Sequence, residues 1–206
     1  MGRIIAVAGL IGSGKDTIAD YLCTFHGFKR LSFASSLKDA VSSVFGWDRE
    51  MLEGSTKSSR EWREQVDPWW SERLDIPNLT PRHILQQWGT EVLRNHFHDD
   101  IWIASVENKL RMAQDDIVIT DCRFRNELTA IKRVGGITMR VNRGPNPPWY
   151  DIALQYNNGD STKVLTLYNL GVHASEYSSV GLEYDHQIDN NGDLLQLYDR
   201  INNVLG

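Results

Sequence analysis

The chain opens on a continuous apolar run, Arg3–Ala8 (RIIAVA), rich in Ile and bounded by glycine. Such a run predicts a strand buried on both faces, as in a parallel sheet. Helical spacing follows at once. Ile18, Ala19 and Leu22 fall on one side of Lys15–Phe25. A second strand is predicted at Phe28–Ala34 and a helix at Leu37–Phe45. The stretch Trp47–Asn78 is charged and rich in tryptophan, with SSREWREQ and DPWWSERL reading as helices. Thr80-Pro81 has the form of a helix start, a hydroxyl cap followed by proline at the first helical position. That helix is predicted to run to about Asn95, with Ile84, Leu85, Trp88 and Val92 on its apolar face. Gln87, Glu91 and Arg94 line another face at i, i+4, i+7. A further helix covers Ile101 to about Ala113.

The second half alternates more plainly. Asp116–Asp121 (DIVITD) is a third buried strand, Asn126–Val134 a helix, Ile137–Asn142 a strand. RGPNPPWY then breaks the chain, and two short helical pieces span Trp149–Leu170. Tyr184–Asn190 reads as a last strand and Asp193–Leu205 as the closing helix. Strands alternating with helices imply a mostly parallel five-stranded sheet in a three-layer α/β/α fold, with right-handed crossovers. The chain is read as one domain, 1–206, with two insertions too long for plain connections, 35–98 and 143–180.

Composition narrows the classes. The 206 residues are 41% hydrophobic and 24% charged, ordinary for a globular protein, and the formal net charge is −5. No global basic surface exists for a nucleic-acid backbone, so no nucleic-acid partner is expected. Two cysteines, Cys23 and Cys122, make no disulfide framework. No apolar run approaches the roughly 18 residues of a membrane span, and the N-terminus lacks the form of a signal peptide. No membrane partner is expected, and the location expected is cytoplasmic.

The chemistry concentrates after the first strand, in GLIGSGKDT (Gly9–Thr17). Gly9, Gly14 and Lys15 satisfy the phosphate-loop pattern G-x-x-x-x-G-K-[ST], but Asp16 stands where the hydroxyl belongs and Thr17 comes one place late. The glycines, Gly12 among them, let backbone N–H groups turn towards phosphate oxygens, and the following helix adds its positive dipole end. Lys15 would reach the β- and γ-phosphates. Asp16 fills the slot of the hydroxyl that ligates Mg²⁺, and its carboxylate can serve the same ion. Asp121, ending a buried strand, has the position of a second acidic group at the metal. Arg123 and Arg125 follow it, and arginine forks match phosphate geometry. Gly89 lies inside a helix, where it costs ~1 kcal/mol relative to alanine, which suggests close approach of another backbone or a ligand. An amide at Gln86 or Gln87 could read a base edge. Most of the seven tryptophans are expected to pack, with Trp69, Trp70 or Trp102 as base-stacking candidates.

A GTPase would need Asn-Lys-x-Asp after a strand. The chain's Asn108-Lys109 lies inside a predicted helix and is followed by Leu-Arg. No Leu-Ser-Gly-Gly-Gln transporter signature occurs. The chain resembles the deoxynucleoside monophosphate kinases of tailed bacteriophages, within the P-loop nucleoside monophosphate kinase group. The elements that carry the resemblance span nearly the whole chain. They are GSGKDT (Gly12–Thr17), LSFASSLKDA (Leu31–Ala40), LQQWGTE with Arg94 and DIWIAS (Leu85–Ser105), ITDCRFRNE (Ile119–Glu127), RVNRG (Arg140–Gly144) and HASE (His173–Glu176).

The resemblance implies transfer of the γ-phosphoryl of ATP to a deoxynucleoside monophosphate, with Mg²⁺. It implies that Gly9, Gly12, Ser13, Gly14, Lys15, Asp16, Thr17 and Arg143 hold the nucleotide, with Asp16, Thr17 and Asp121 at the metal. Lys15, Asp121, Arg123 and Arg125 would serve the transfer. Lys38 and Arg94 would hold the acceptor phosphate or its surroundings, and Gln87, Gly89 and Thr90 would lie along its base or sugar. The segment 35–98 becomes the acceptor-binding insertion, and 143–180 a lid hinged at Arg143. Gly144–Gly171 contains no arginine and one lysine, Lys163, unlike the arginine-supplying lids of adenylate-type kinases. The motif at His173 and Glu176 carries no role derivable from sequence. A homodimer stays open, and a phage origin would make the location the host cytoplasm. Two alternatives compete: another small-molecule kinase, phosphomevalonate-like or dephospho-coenzyme A-like, and a non-catalytic ATP-binding module. The carboxylate at position 16 predicts strict metal dependence. Asp16→Ser is expected to lower apparent Mg²⁺ affinity, read by titrating activity against free Mg²⁺; unchanged activity and affinity would remove Asp16 from the metal site.

Overall fold

The computed structural model describes residues 2–206. Five strands form one sheet: β1 (Ile4–Ala8), β2 (Lys29–Leu31), β3 (Ile117–Ile119), β4 (Ile137–Asn142) and β5 (His186–Asp189). Their order is β2-β3-β1-β4-β5, and every neighbouring pair is parallel. All five residues of β1 are buried, as a central strand of a covered parallel sheet requires. Ile5 and Val7 pack into one cluster with Ile18, Ala19 and Leu22 of α1 (Lys15–His26) and Leu197 and Ile201 of α13 (Leu194–Leu205). Alternate residues face the other way. Ile4 there meets Ile131 of α9 (Arg125–Arg133) across Gly136, where a β-carbon would lie 2.7 Å from one and 2.9 Å from the other. The result is a three-layer α/β/α fold. Because β3 and β4 flank β1, the strand order reverses there, and the loop after β1 opens at the crevice where such sheets bind ligands.

Two strands are shorter than their sequence pattern. β2, expected over Phe28–Ala34, pairs only with the three residues of β3, so its register ends with them. As an edge strand it carries charge instead of apolar surface: Lys29 pairs with Asp115 and Arg30 with Asp20. β3, expected over Asp116–Asp121, keeps only its apolar centre. Asp116 instead accepts from the backbone N–H and Nε of Arg3 at 2.6 and 2.7 Å.

The chain divides into two compact units: residues through Ser32 with Glu107–Gly206, and Phe33–Val106. The second unit is helical. It contains α2 (Ser35–Phe45), α3 (Arg49–Glu53), α4 (Lys57–Arg63), α5 (Pro68–Leu74), α6 (Pro81–Gln86), α7 (Leu93–His96) and the start of α8 (Ile101–Met112). Asp48, Thr56, Asp67 and Thr80 cap α3 to α6 through their side-chain oxygens. The helix predicted from Pro81 to Asn95 is interrupted by a π-helical turn, Gln87–Val92. A π turn inserts one residue into the helical repeat. The apolar face therefore runs Ile84, Leu85, Trp88 and then Leu93, not Val92, which is 46% exposed. The i, i+4, i+7 alignment of Gln87, Glu91 and Arg94 is lost for the same reason.

Tryptophans build this unit's core. Trp47 and Trp102 are buried, with Trp62, Trp70 and Trp88 packed against them. Their indole N–H groups are spent inside: Trp47 on Asp67, Trp70 on the Phe45 carbonyl, Trp102 on the Gly89 carbonyl. Trp70 and Trp102 are thereby packing residues, not free stacking surfaces, while Trp69 is exposed.

The β4–β5 connection holds α10 (Tyr150–Asn157), α11 (Lys163–Asn169) and α12 (Ala174–Tyr177) around a small core of Ala153, Leu167, Tyr177 and Val180. Buried Arg140 of β4 ties it to the sheet, donating from Nη1 to the Ser179 carbonyl at 2.8 Å. Just before β5, Asp185 accepts from the N–H and hydroxyl of fully buried Thr138 at 2.8 and 2.7 Å. Burial pushes the Asp185 carboxyl up, but the Thr138 hydrogen bonds and Lys132 outweigh it, so its pKa lies below the ordinary value. The carboxylate's contribution is thus present above the unfolded value, about 3.9, and is lost as pH falls through the lower folded value. Asp185→Ala should cost about 1–3 kcal/mol by orphaning Thr138. Urea unfolding should show that difference at pH 7 and show it shrinking below about pH 4.

Candidate phosphate-binding site

Between β1 and α1 the backbone turns on three glycines with positive φ: Gly9 at 154°, Gly12 at 77° and Gly14 at 102°. Glycine is required at Gly9 for a second reason. A β-carbon there would stand 2.5 Å from the Val141 carbonyl oxygen and 2.6 Å from Ser13 Oγ. Ser13 N–H closes the turn onto the Leu10 carbonyl at 3.1 Å, and Gly14 forms the N-cap of α1. Ser13 is buried, yet its hydroxyl has no hydrogen-bond partner. A buried orphan hydroxyl costs about 1–3 kcal/mol, a cost carried inside the turn itself.

Lys15 curls over the loop. Its Nζ donates to the carbonyls of Gly9 and Leu10 at 2.8 and 2.9 Å. Burial pulls its pKa below the ordinary lysine value. Asp16 and Glu176 oppose that pull, and Arg123 adds to it. Asp16 is exposed, with Arg30 Nη1 3.7 Å away, and its Oδ1 accepts from Thr120 Oγ1 at 3.4 Å. It therefore points towards the end of β3, one residue short of Asp121. Thr17 is half-buried in the first turn of α1. Asp16, Thr17 and Asp121 all offer hard oxygen ligands, the set that suits Mg²⁺. Among the described residues no group of three or more His, Cys, Asp or Glu side chains could by itself hold a metal.

Arg123 reaches this site from the β3–α9 loop. The buried Glu127 carboxylate fixes its backbone, accepting from the N–H of Arg123 at 2.7 Å and of Phe124 at 3.0 Å. Its Nη1 donates to Ser175 Oγ at 3.1 Å and Glu176 Oε1 at 3.4 Å. Gly9, Ile11, Lys15, Cys122, Arg123, Ser175, Glu176 and Ser179 enclose a narrow cavity of about 20 Å³. Beside it lies a cleft of about 620 Å³, walled by Leu10, Arg143, Pro147, Trp149, His173 and Glu176 among others. Arg125, by contrast, stands exposed at the start of α9, outside both cavities. Cys122 is buried, and desolvation with the nearby carboxylates pushes its thiol well above the ordinary range, so it is no nucleophile.

The remaining candidates lie in the helical unit. Lys38 is buried on α2, its Nζ 2.6 Å from Glu53 Oε1, and Arg49 holds the other oxygen at 2.7 Å. Burial pushes Glu53 up, but these two cations hold its carboxyl below the ordinary value. Gln87 and Arg94 are half-buried and Thr90 exposed. Gly89 is buried, and the close approach there is Leu37 Cδ2, 2.8 Å from where a β-carbon would be. It is a packing glycine, not one opened for a ligand.

Sequence reading overlooked three residues. Asn190, just past β5, donates from Nδ2 to the Ser13 carbonyl at 2.8 Å and is buried against Gly14. Its signal was its place at a strand's carboxyl end, the position that drew attention to Asp121. Glu127 and Ser175 were quoted inside motifs without being singled out.

A parallel sheet of this order, with a glycine loop and a lysine at its switch point, defines a P-loop α/β/α protein. No family model matches the chain. It is 32% identical over 154 residues to a deoxynucleotide monophosphate kinase of Acanthamoeba polyphaga mimivirus, covering 68% of this chain and 74% of that protein. It is 25% identical over 188 residues to the deoxynucleoside-5′-monophosphate kinase of Escherichia phage T5, covering 68% and 75%. The chain belongs to the deoxynucleotide monophosphate kinase family, and it is a kinase. Among solved structures, the shikimate kinase of Aquifex aeolicus aligns over 98% of this chain and 96% of its own, at TM-score 0.44 and 12% identity.

The clamp from Asn190 has a direct consequence. Asn190→Ala should free the Ser13 carbonyl and raise amide hydrogen exchange across Gly12–Asp16 on the order of tenfold, while the sheet amides keep their protection.

Proposed function

We propose that this kinase transfers the γ-phosphoryl of ATP to a deoxynucleoside 5′-monophosphate, giving the diphosphate and ADP. The observation that carries the reading is the Arg123 guanidinium, held at the mouth of the glycine loop beside Lys15 with one edge unspent. Its hydrogen-bond partners, Ser175 Oγ and Glu176 Oε1, both bind Nη1. Nε and Nη2, the pair that grips two phosphate oxygens side by side, engage no acceptor among the described residues. The names of the two relatives supply the substrate class.

The mechanism is positioning and charge neutralisation. Gly12 and Gly14 would present N–H groups to the phosphates, in a loop shaped by Gly9 and by Ser13, whose N–H closes the turn on Leu10. Lys15 exchanges the two loop carbonyls for phosphate oxygens. Asp16 and Asp121, with Thr17, would hold Mg²⁺, which would supply positive charge to offset that of the phosphates. Arg123 meets the charge that develops on the transferring group, with Arg125 a more distant contributor. Arg143, at the rim of the large cleft, would sit on the nucleotide. No general base is required, because the acceptor phosphate is already ionised near neutral pH.

The segment 35–98 is assigned to the acceptor, through Lys38, Gln87, Thr90 and Arg94. Lys38 must leave Glu53 to reach a phosphate. The segment 143–180 is assigned as the lid. Its Lys163 stands 3.7 Å from Asp160, so closure excludes water and leaves the charge to framework arginines. The substrate is a small molecule and no nucleic acid is bound. No helix among the described residues is long and apolar enough to cross a membrane, and the assigned location is cytoplasmic.

A coupled assay of ADP release with each of the four deoxynucleoside monophosphates tests the proposal. Turnover with at least one is expected; none would refute the substrate assignment. Arg123→Ala should lower kcat on the order of 10²–10³-fold and change KM for ATP only a few-fold.

A further inference from the structure

The HASE segment, His173–Glu176, converges on one side chain. His173 Nδ1 accepts from the Ser175 N–H at 3.2 Å and lies 2.9 Å from Ser175 Oγ. An Nδ1 that accepts a backbone N–H carries no proton, so the Ser175 hydroxyl donates to it. The hydroxyl's lone pairs are then left to accept from Arg123 Nη1, as the 3.1 Å contact shows. Glu176 Oε1 takes the same nitrogen at 3.4 Å, from a side chain only 25% exposed. Arg123 is thereby fixed from two directions: by its backbone through Glu127 on α9, and by its guanidinium through α12.

We infer that Glu176, with Ser175, is a positioning residue for phosphoryl transfer, holding Arg123 by Nη1 so that its Nε–Nη2 edge faces the glycine loop. The inference rests on the proposed role of Arg123 at the transferring phosphoryl. Three features favour this over a surface ion pair. Glu176 lines both the small cavity shared with Lys15 and Gly9 and the large cleft beside it. The contact joins the β4–β5 connection to the β3–α9 loop, so the arginine's aim depends on that connection being seated. Both Nη1 hydrogens have acceptors, while the bidentate edge is left for phosphate. An arginine free to rotate would have to be ordered anew on each turnover.

The test uses the full chain, with kinetics and arginine labelling in parallel. Glu176→Ala should lower kcat about 30–100-fold with KM for ATP within threefold. Glu176→Gln, whose amide oxygen still accepts from Nη1, should return kcat to within about fivefold of the parent. In an Arg123→Ala background, Glu176→Ala should remove less than a further twofold, because its effect runs through the arginine. Phenylglyoxal modification of Arg123, mapped by mass spectrometry without nucleotide, should quicken at least threefold in Glu176→Ala. Ser175→Ala, which deletes one hydroxyl, should quicken labelling and cost about fivefold in kcat even if Glu176→Ala does not fold. Parent kcat in the foldable variants, an undiminished loss in the Arg123→Ala background, or unchanged labelling would each overturn the inference. Should the parent phosphorylate no deoxynucleoside monophosphate, labelling decides alone. Faster labelling then upholds the Arg123 tether and the fault lies in the substrate assignment, whereas unchanged labelling removes the tether itself.

Discussion

The structure turns on a backbone reversal that only glycine permits. Between β1 and α1 the chain must leave a strand buried on both faces and enter a helix, at the point where the strand order reverses. Gly9, Gly12 and Gly14 take positive φ to do so. The turn packs so closely against β4 that a β-carbon at Gly9 would meet the Val141 carbonyl. What the sheet gains is a glycine turn that leads directly into a helix N-terminus, the end that favours an anion. Asn190 then locks the turn from the far side of β4. The loop is therefore held by strands distant in sequence, and the conformational cost of ordering it is met before any phosphate arrives.

Charge is arranged around that turn with unusual economy of groups. Lys15 loses hydration, and two carboxylates, Asp16 and Glu176, partly restore the stability of its charged form. Arg123 adds a second cation close by, and its repulsion of Lys15 is tempered by Glu176. A phosphate entering the site would relieve this tension directly, since it supplies the negative charge that the protein's own groups supply only in part. The helical unit solves its problem differently. Lys38 and Arg49 are matched to Glu53, so its buried cation is neutralised inside the protein.

The local geometry of the phosphate loop was legible because its cause is local. Glycine spacing, a buried strand before it and a helical pattern after it mark the turn in the sequence, although Val141 and Asn190 hold it in place. The parallel sheet followed from the alternation of apolar runs with amphipathic ones. The π turn was not legible. Gln87–Val92 contains a glycine, but nothing in its pattern marks an inserted residue, and with the insertion Trp88 and Leu93 both pack against the Trp102 cluster. The same holds for the short edge strand, whose length is set by its three-residue partner rather than by its own apolar run.

Sequence by itself determined the alternation of strands and helices, the phosphate loop, the Thr80 cap and the candidate carboxylates, since each rests on residues within a turn or two of one another. Tertiary structure alone decided which arginine faces the loop. Arg123 and Arg125 are two residues apart and chemically identical. Glu127 and the α12 segment, some fifty residues downstream, seize the first and leave the second at the surface. It also decided that Gly89 serves packing, because the space above it is taken by Leu37 from another helix. Such choices depend on which side chains meet across the fold, and contacts of that range have no periodicity along the chain to betray them.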